Sequence, residues 1–300
     1  MKTSIVVAGS SNTDMVVKTD HLPLPGETIL GGIFFMNAGG KGANQAVAAA
    51  RLGGQVTFVC KTGNDIFGQQ ALELFQQEGI KTGYVFTDNN NASGVALITV
   101  DNKGENCIAV ASGANATLSI EEVQQAEEEI KSAAVVLAQL EIPLQTVIYV
   151  AGIASKNNIP FVLNPAPACS LPDELYQNIS IITPNETEAE MLTGIKIKDD
   201  ESAINAGRKL IEKGVKTAVV TLGAKGAMMV TNNNSLLINA PIVNAIDTTA
   251  AGDVFNGALC VALAESKSLK EAVVFACKAA SVSVTRLGAQ ASAPYLEELL

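Results

Sequence analysis

The chain has 300 residues, 48% of them apolar, which is ample for a large buried core in a single α/β enzyme. At this size folding hides roughly 75% of the unfolded surface, so no metal or disulfide staple is needed. A net charge of −10, the lack of tryptophan and the lack of a basic stripe exclude a nucleic-acid surface, and any anion must be held by local backbone dipoles rather than by the overall field.

Short β-branched runs alternate with amphipathic segments along the chain. Strands are expected at Ser4–Ala8, Val56–Cys60, Val135–Gln139, Pro160–Leu163, Ile179–Thr183 and Ala218–Leu222. Helices are expected at Gly42–Leu52, Phe67–Gln77, Ile120–Ile130, Leu144–Asn157, Glu186–Thr193, Glu201–Lys213, Ala251–Ala264 and Leu269–Thr285. Strands apolar at every position are buried on both faces, which predicts a doubly wound, mostly parallel central sheet flanked by helices in one α/β domain spanning 1–300. Two regions, about 14–37 and 94–112, break the rhythm, and the second carries a hairpin turn at Asp101-Asn102-Lys103-Gly104. Together they predict a small β-sheet lid. The segment Met1-Lys2-Thr3 and Ser4–Ala8 is too short in its apolar part for a signal peptide, and no apolar stretch is long enough to span a bilayer. Cys60, Cys107, Cys169, Cys260 and Cys277 are odd in number and lack C-x-x-C spacing, so they read as buried reduced thiols of a cytoplasmic protein.

Neither of the common Gly-rich phosphate loops, G-x-x-x-x-G-K-[ST] or G-x-G-x-x-G after a strand, is present. The strongest chemical signal is the segment 247–258, DTTAAGDVFNGA, where small residues lead into a helix. The free N–H groups of such a terminus, at Ala250, Ala251 and Gly252, suit an anion without any cationic side chain. Asp253 in the first turn would also complement the helix dipole, but beside an anion pocket it can accept a hydroxyl proton. Asn37-Ala38-Gly39-Gly40-Lys41-Gly42-Ala43-Asn44-Gln45 forms a tight helix entry. There the glycines permit close contact with a polar ligand, and Asn44 offers both a donor and an acceptor to hydroxyls. Asn12 and Asp14 follow the first strand, and Glu141 follows the apolar run 135–140, both at expected strand ends where ligands gather. Asn185 and Glu188 can cap a helix, hold hydrated magnesium, or do both. Thr221-Leu222-Gly223-Ala224-Lys225-Gly226 reads equally as a plain turn or as a nucleotide loop. Around Gly288 the bare sequence shows only a helix end with a glycine stop.

In this order these segments resemble the ribokinase/PfkB family of carbohydrate kinases, from Val6 to about Ala293. Gly39-Gly40…Asn44 and Asp247…Asp253 look like its two signature motifs, and Asn185-Glu186-Thr187-Glu188 looks like its magnesium motif. The resemblance implies ATP-dependent phosphorylation of D-ribose at O-5, giving D-ribose 5-phosphate and ADP. Deoxyribose, fructose or a nucleoside remain as alternative acceptors. It implies sugar contacts from Asn12, Asp14, Gly40, Lys41, Gly42, Asn44 and Glu141, with Asp253 as general base and Lys41 near the phosphates. It implies ATP contacts from Asn185, Thr221, Leu222, Gly223, Ala224, Lys225, Gly226, Gly252, Asp253 and Cys277. Cys277 would lie near the adenine, where relatives often carry a more polar side chain. Magnesium would be held through water by Asn185 and Glu188. A monovalent cation, usually potassium, would be held around Asp247, Thr249, Ser283, Arg286, Gly288 and Ser292. A homodimer through the lids is also implied.

Overall fold

A computed structural model describes residues 3–299; Met1, Lys2 and Leu300, including the first two residues of the leader expectation, lie outside the described residues. The strands in chain order are β1 (Ser4–Ala8), β2 (Asn12–Lys18), β3 (Ile33–Gly39), β4 (Gln55–Gly63), β5 (Lys81–Asp88), β6 (Gly94–Val100), β7 (Asn106–Ala111), β8 (Val135–Ala138), β9 (Phe161–Leu163), β10 (Ile181–Ile182), β11 (Thr217–Thr221), β12 (Gly226–Thr231) and β13 (Ser235–Asn239). The helices are α1 (Lys41–Arg51), α2 (Ile66–Gln77), α3 (Ile120–Gln125), α4 (Glu127–Ser132), α5 (Leu144–Lys156), α6 (Asp173–Tyr176), α7 (Glu186–Thr193), α8 (Asp200–Glu212), α9 (Ala251–Ala264) and α10 (Leu269–Ser283).

The body is a nine-stranded sheet in the order β13-β12-β11-β10-β9-β8-β1-β4-β5. From β11 to β5 the pairings are parallel, and the edge strands β12 and β13 run antiparallel. Alternate residues of the central strands feed two separate cores. Ile5, Val7, Val135, Leu137 and Val162 pack with α1, α9 and α10, while Val6, Ala8, Val136, Ala138, Phe161 and Leu163 pack on the other face with α5. A strand buried on both faces gains apolar burial from every side chain, which explains the unbroken hydrophobic runs. Strand β1 pairs with β4 on one side and with β8 on the other. The chain thus winds outward from β1 in both directions, and the crevice beyond the carboxyl ends of β1 and β8 is the topological switch point where such sheets bind ligands.

Helix α9 is buried along most of its length. It lies so close to α1 that a Cβ on Gly257 would meet the Gln45 carbonyl oxygen at 2.8 Å, the Ala48 Cβ at 2.9 Å and the Ala49 nitrogen at 2.9 Å. Small residues at this crossing allow the backbones to approach, and the approach brings side chains of α1 onto the first turn of α9.

The second sheet has four strands in the order β3-β2-β6-β7. Strands β2 and β6 are parallel, and the other pairs are antiparallel. The hairpin closes at Asp101, whose N–H donates to the Glu105 carbonyl (2.9 Å) and whose carbonyl accepts from Gly104 (3.0 Å). The lid strands begin at Asn12 and end at Gly39, a little beyond the 14–37 expected, because Asn12 pairs in register with both Gly39 and Gly94.

Several expectations are corrected. The helix expected at Ile120–Ile130 is broken at Ala126, whose φ of −94° and ψ of 5° leave the helical range. Strands β5, β12 and β13 and the short α6 had no counterpart among the expected elements. Cys107 and Cys169 are exposed rather than buried, since they stand on a lid edge strand and in a loop. Helix α10 ends at Ser283, before Gly288, so that glycine (φ 95°) is not its stop and instead turns the following loop. Among the described residues no helix is long and apolar enough to cross a membrane.

Candidate active site

Asp253 stands in the first turn of α9 and is buried, with 6% of its surface exposed. Its Oδ2 accepts from Asn44 Nδ2 at 2.9 Å and its Oδ1 from Gln45 Nε2 at 2.8 Å, so successive residues of α1 grip the two carboxylate oxygens. Burial pushes the Asp253 carboxyl above the ordinary carboxylate range. Lys41 and the two amides pull it back down, and Glu141 pushes it further up.

The entry to α1 is built by close approach. Gly40 is its N-cap with φ 88°, and a Cβ there would lie 2.7 Å from the Asn12 nitrogen. A Cβ on Gly42 would meet the Ser10 nitrogen at 2.4 Å. Only glycine lets the helix start sit against the loop after β1. Glu141 Oε2 accepts from the Ser10 hydroxyl at 2.5 Å and from the Lys41 amide at 3.0 Å, so this carboxylate fastens the β8 end to the α1 start. The Lys41 side chain has no carboxylate within ion-pair distance among the described residues, yet four surround it. Burial alone would pull its pKa down, but Asp253, Glu141, Glu188 and Asp14 together hold it above the usual lysine value.

Asn12 Oδ1 accepts from Asn115 Nδ2 at 2.7 Å, and Asn115 also accepts from the Ser11 amide at 2.8 Å. The Asp14 carboxylate lies against Gly39, where a Cβ would sit 2.3 Å from Oδ2, and it accepts no hydrogen bond among the described residues. Asp14 is half-buried, and Asn44 Oδ1 is fully buried without a partner. Two unpartnered acceptors beside Asp253 call for hydroxyl donors, because a buried polar atom left unpaired costs about 1–3 kcal/mol.

At the start of α9, Ala250 takes the left-handed conformation (φ 59°, ψ 11°) and turns the chain into the helix. The Ala251 amide donates to the Thr248 carbonyl at 3.2 Å, so it is engaged within the turn. The amides of Ala250, Gly252 and Asp253 have no acceptor among the described residues, and nothing lies within 4 Å of where a Gly252 Cβ would be. The space above Gly252 is open and faced by free donors, which suits an anion.

Asn185 and Glu188 form a complete capping box. Asn185 Oδ1 accepts from the Glu188 amide at 2.8 Å, and Glu188 Oε2 accepts from the Asn185 amide at 2.8 Å. Glu188 Oε1 has no hydrogen-bond partner among the described residues, and burial holds this carboxyl above its ordinary pKa, with Asp253 adding to the rise. Such an oxygen fits a hydrated cation. Among the described residues no group of His, Cys, Asp or Glu is gathered closely enough to hold a metal directly. A bridge joins Asn185 to Thr221, and the Thr221 amide donates to the Pro184 carbonyl at 2.9 Å. This sets the turn after β11 beside α7. Gly223 there (φ 55°) has open space over its Cα, the Leu222 amide closes onto the Gly226 carbonyl at 2.8 Å, and Ala224 lies in the short turn between. Lys225 points to Asp200 in an exposed ion pair. Cys277 on α10 is packed in the core against α9, where burial pushes its thiol up to about 11.

Asp247 accepts from the Thr249 amide and the Gly288 amide, each at 2.9 Å, and the Val284 carbonyl accepts from the Ile246 and Asp247 amides. The loops before α9 and after α10 are thereby joined. The Ser283 and Ser292 hydroxyls donate to the carbonyls of Ala280 and Ala289, leaving their oxygen lone pairs free, while the Arg286 guanidinium pairs with Glu298. The carbonyls of Thr249, Arg286 and Gly288 receive no hydrogen bond among the described residues. Oxygens of this kind fit a monovalent cation.

Asn12, Gly40, Lys41, Asn44, Glu141 and Asp253 are brought together by direct contacts, and Asp14 and Glu188 face the same lysine. The turn 221–226 is tied to Asn185 and the Asp247–Gly288 pairing to the start of α9, while the Lys225 side chain turns away to Asp200. Ser10, Gln45, Asn115, Gln139, Asn164 and Asn256 are buried polar residues bonded into or next to the site that were not among the expected site residues. Gln45 and Asn256 lie inside the motifs read above and Ser10 in the polar turn after the first strand, while the other three carry no local pattern of their own.

A buried carboxylate beside unpartnered hydroxyl acceptors, next to an open helix N-terminus for an anion, defines a site for moving an anionic group onto a polyol. The pfkB family carbohydrate kinase profile matches residues 2–296, and the chain belongs to that family. It is 47% identical over 300 residues to a ribokinase of Haemophilus influenzae, covering 100% of this chain and 98% of the relative. It is 38% identical to a deoxyribokinase of Salmonella typhi, covering 98% and 96%. A ribokinase of Arabidopsis thaliana, solved in complex with ribose and ATP, shares its fold at a TM-score of 0.92 and 35% identity, covering 100% of this chain and 98% of that one.

The pH response of Asp14 follows from its setting. Burial first, then Glu141 and Asp253, raise its pKa from 3.8 to about 6 against the pull of Lys41. A carboxyl raised in the folded state helps folding fully below its unfolded pKa, and that help is lost as pH climbs through the folded value. We therefore expect the D14N variant to melt above the parent at pH values over about 6, with the gap closing as pH falls toward 3.8, as read by thermal melts across pH.

Proposed function

We propose that the protein transfers the γ-phosphoryl group of ATP to O-5 of D-ribose, giving D-ribose 5-phosphate and ADP. The observation that carries this reading is the pair of unpartnered acceptors, the Asp14 carboxylate and Asn44 Oδ1, facing the buried Asp253. Ribose hydroxyls supply the missing donors. Glu141 Oε1, Asn12, Gly40, Lys41 and Gly42 line the rest of the sugar seat. The sugar placed in this way turns its 5-hydroxyl toward Asp253. That carboxylate takes the hydroxyl proton as the sugar oxygen bonds to phosphorus and the bond to ADP breaks. Its elevated pKa makes it a stronger base than a surface aspartate. The free amides of Ala250, Gly252 and Asp253 receive the charge on the group in transfer, with Lys41 as the neighbouring cation. Of the three residues assigned to the anion hole, Ala251 contributes its small side chain and its turn rather than a free amide.

ATP lies along Asn185, the turn 221–226 and Gly252, with Cys277 below the adenine in this reading. The Lys225 backbone, not its ammonium, faces the nucleotide, since that side chain pairs with Asp200. Magnesium, held through water by Asn185 and Glu188, neutralises phosphate charge when bound. Potassium fits the oxygens of Asp247, Thr249, Ser283, Arg286, Gly288 and Ser292, where it tunes the anion pocket through the shared loop. The lid, about 14–37 and 94–112, covers the sugar within one catalytic domain and keeps water from the transfer. A cytoplasmic setting, where ATP is supplied, belongs to the same reading. One face of the lid sheet exposes Ile33 (67%), Phe35 (41%), Ile108 (53%) and Val110 (54%), which the strand register sets side by side, and a second copy of the chain covers this apolar face in a homodimer.

D253N should lower turnover by roughly 10²–10⁴-fold while ribose binding persists, the usual cost of losing a general base. Coupled ADP release and a ribose binding isotherm check it, and near-parental turnover overturns the base assignment. Exchange of potassium for a large organic cation should lower the rate; an unchanged rate removes the cation site. In gel filtration the parent should elute as a dimer and I108K as a monomer, and a monomeric parent defeats the lid interface.

A further inference from the structure

Gln45 contacts neither sugar nor nucleotide in the arrangement above, yet it is fully buried and bonded directly to Asp253. Its Nε2 donates to Asp253 Oδ1 at 2.8 Å and to Asn164 Oδ1 at 3.0 Å, while its Oε1 accepts from Gln139 Nε2 at 2.6 Å. The Asp253 bond settles which way the amide faces, because a flipped Gln45 would aim its oxygen at a carboxylate. Gln139 is held in turn by tight packing, since a Cβ on Gly9 would come within 2.1 Å of its Oε1. On the other side Asn164 donates to the Thr183 carbonyl at 3.4 Å, and Thr183 donates its hydroxyl to Asn256 Oδ1 at 2.6 Å. Asn256 Nδ2 then donates to the Gly252 carbonyl at 2.8 Å. The network therefore leaves α9 at Asp253 and returns to it at Gly252, passing through α1 and the ends of β9 and β10, with Gln139 after β8 as a side branch on Gln45.

Asn44 restrains one oxygen of Asp253 only, and a carboxylate held at one oxygen can still rotate about its Cβ–Cγ bond. We infer that Gln45, locked by Gln139 and Asn164, is a positioning residue that sets the plane of the Asp253 carboxylate for proton removal from the acceptor hydroxyl. This rests on Asp253 being the base. The charged groups facing Asp253 are Lys41 on α1, Glu141 after β8, Asp14 on β2 and Glu188 on α7. All four remain when Gln45 is replaced, so loss of its donor moves the affinity of the base for protons upward.

The test uses the full chain as Gln45→Met, which keeps the length of the side chain and removes its donors, and as Gln139→Leu, which releases the lock. Gln45→Met should lower kcat by roughly 10–100-fold, in the range of a misplaced reacting group. The KM for sugar should stay near the parent's, and the acid limb of the kcat–pH profile should move to higher pH. Gln139→Leu should move both quantities in the same direction by less. It carries the comparison alone if Gln45→Met does not fold, as judged by thermal melting. Parental kcat, or a lowered kcat with an unmoved acid limb, overturns the inference. Asp253→Asn assayed alongside separates the two readings: an active Asp253→Asn removes the base itself, whereas an inactive one beside a parental Gln45→Met removes only the role of Gln45.

Discussion

Asp253 is a carboxylate kept in the interior of the protein by two side-chain amides from a neighbouring helix, and the rest of the site is arranged around that contact. A lone buried carboxylate is costly, and hydrogen bonds to its charged form offset part of the cost. Those bonds exist only because α1 and α9 touch backbone to backbone at Gly257, Ala48 and Ala49. A bulkier residue at that crossing would part the helices and leave this carboxylate unsupported. The packing of small residues deep in the core and the chemistry at the surface of the crevice are thus one constraint.

The electrostatics follow from the same placement. Asp14, Glu141, Glu188 and Asp253 come from four different elements and surround one lysine. Taken alone the acids would repel a phosphate-bearing ligand, and the overall charge of −10 would do so too. Anion capacity is local: open amides at the first turn of α9 and a lysine with no ion-pair partner nearby among the described residues. The elevated carboxyls of Asp14 and Glu188 mark places where charge is unfavourable until hydroxyls or a cation arrive.

Much of this was legible in the order of residues. The bounds of α7 and α9 were readable because a capping pair and a run of small residues punctuate them. The parallel sheet was readable because strands buried on both faces carry no alternation. The polar network was not readable. Gln45 and Asp253 are 208 positions apart, and Gln45 and Gln139 are 94 apart, with no local pattern to pair them. The antiparallel edge formed by β12 and β13 escaped notice because a hairpin of apolar and amide residues looks like loop and core mixed. The lid limits fell short at Asn12 and Gly39 because strand register, not composition, extends them.

Asn12 and Asp14 stand on β2, which belongs to the cover, whereas Asn44 and Asp253 stand on the body. In the proposed reading a sugar gripped by both sets is a strut between cover and body, added to the bonds that Ser93 makes to Gly63 and Asp65 and that Gln290 makes to Gly39. Filling the seat then fixes the angle of the cover and the place of the acceptor hydroxyl together.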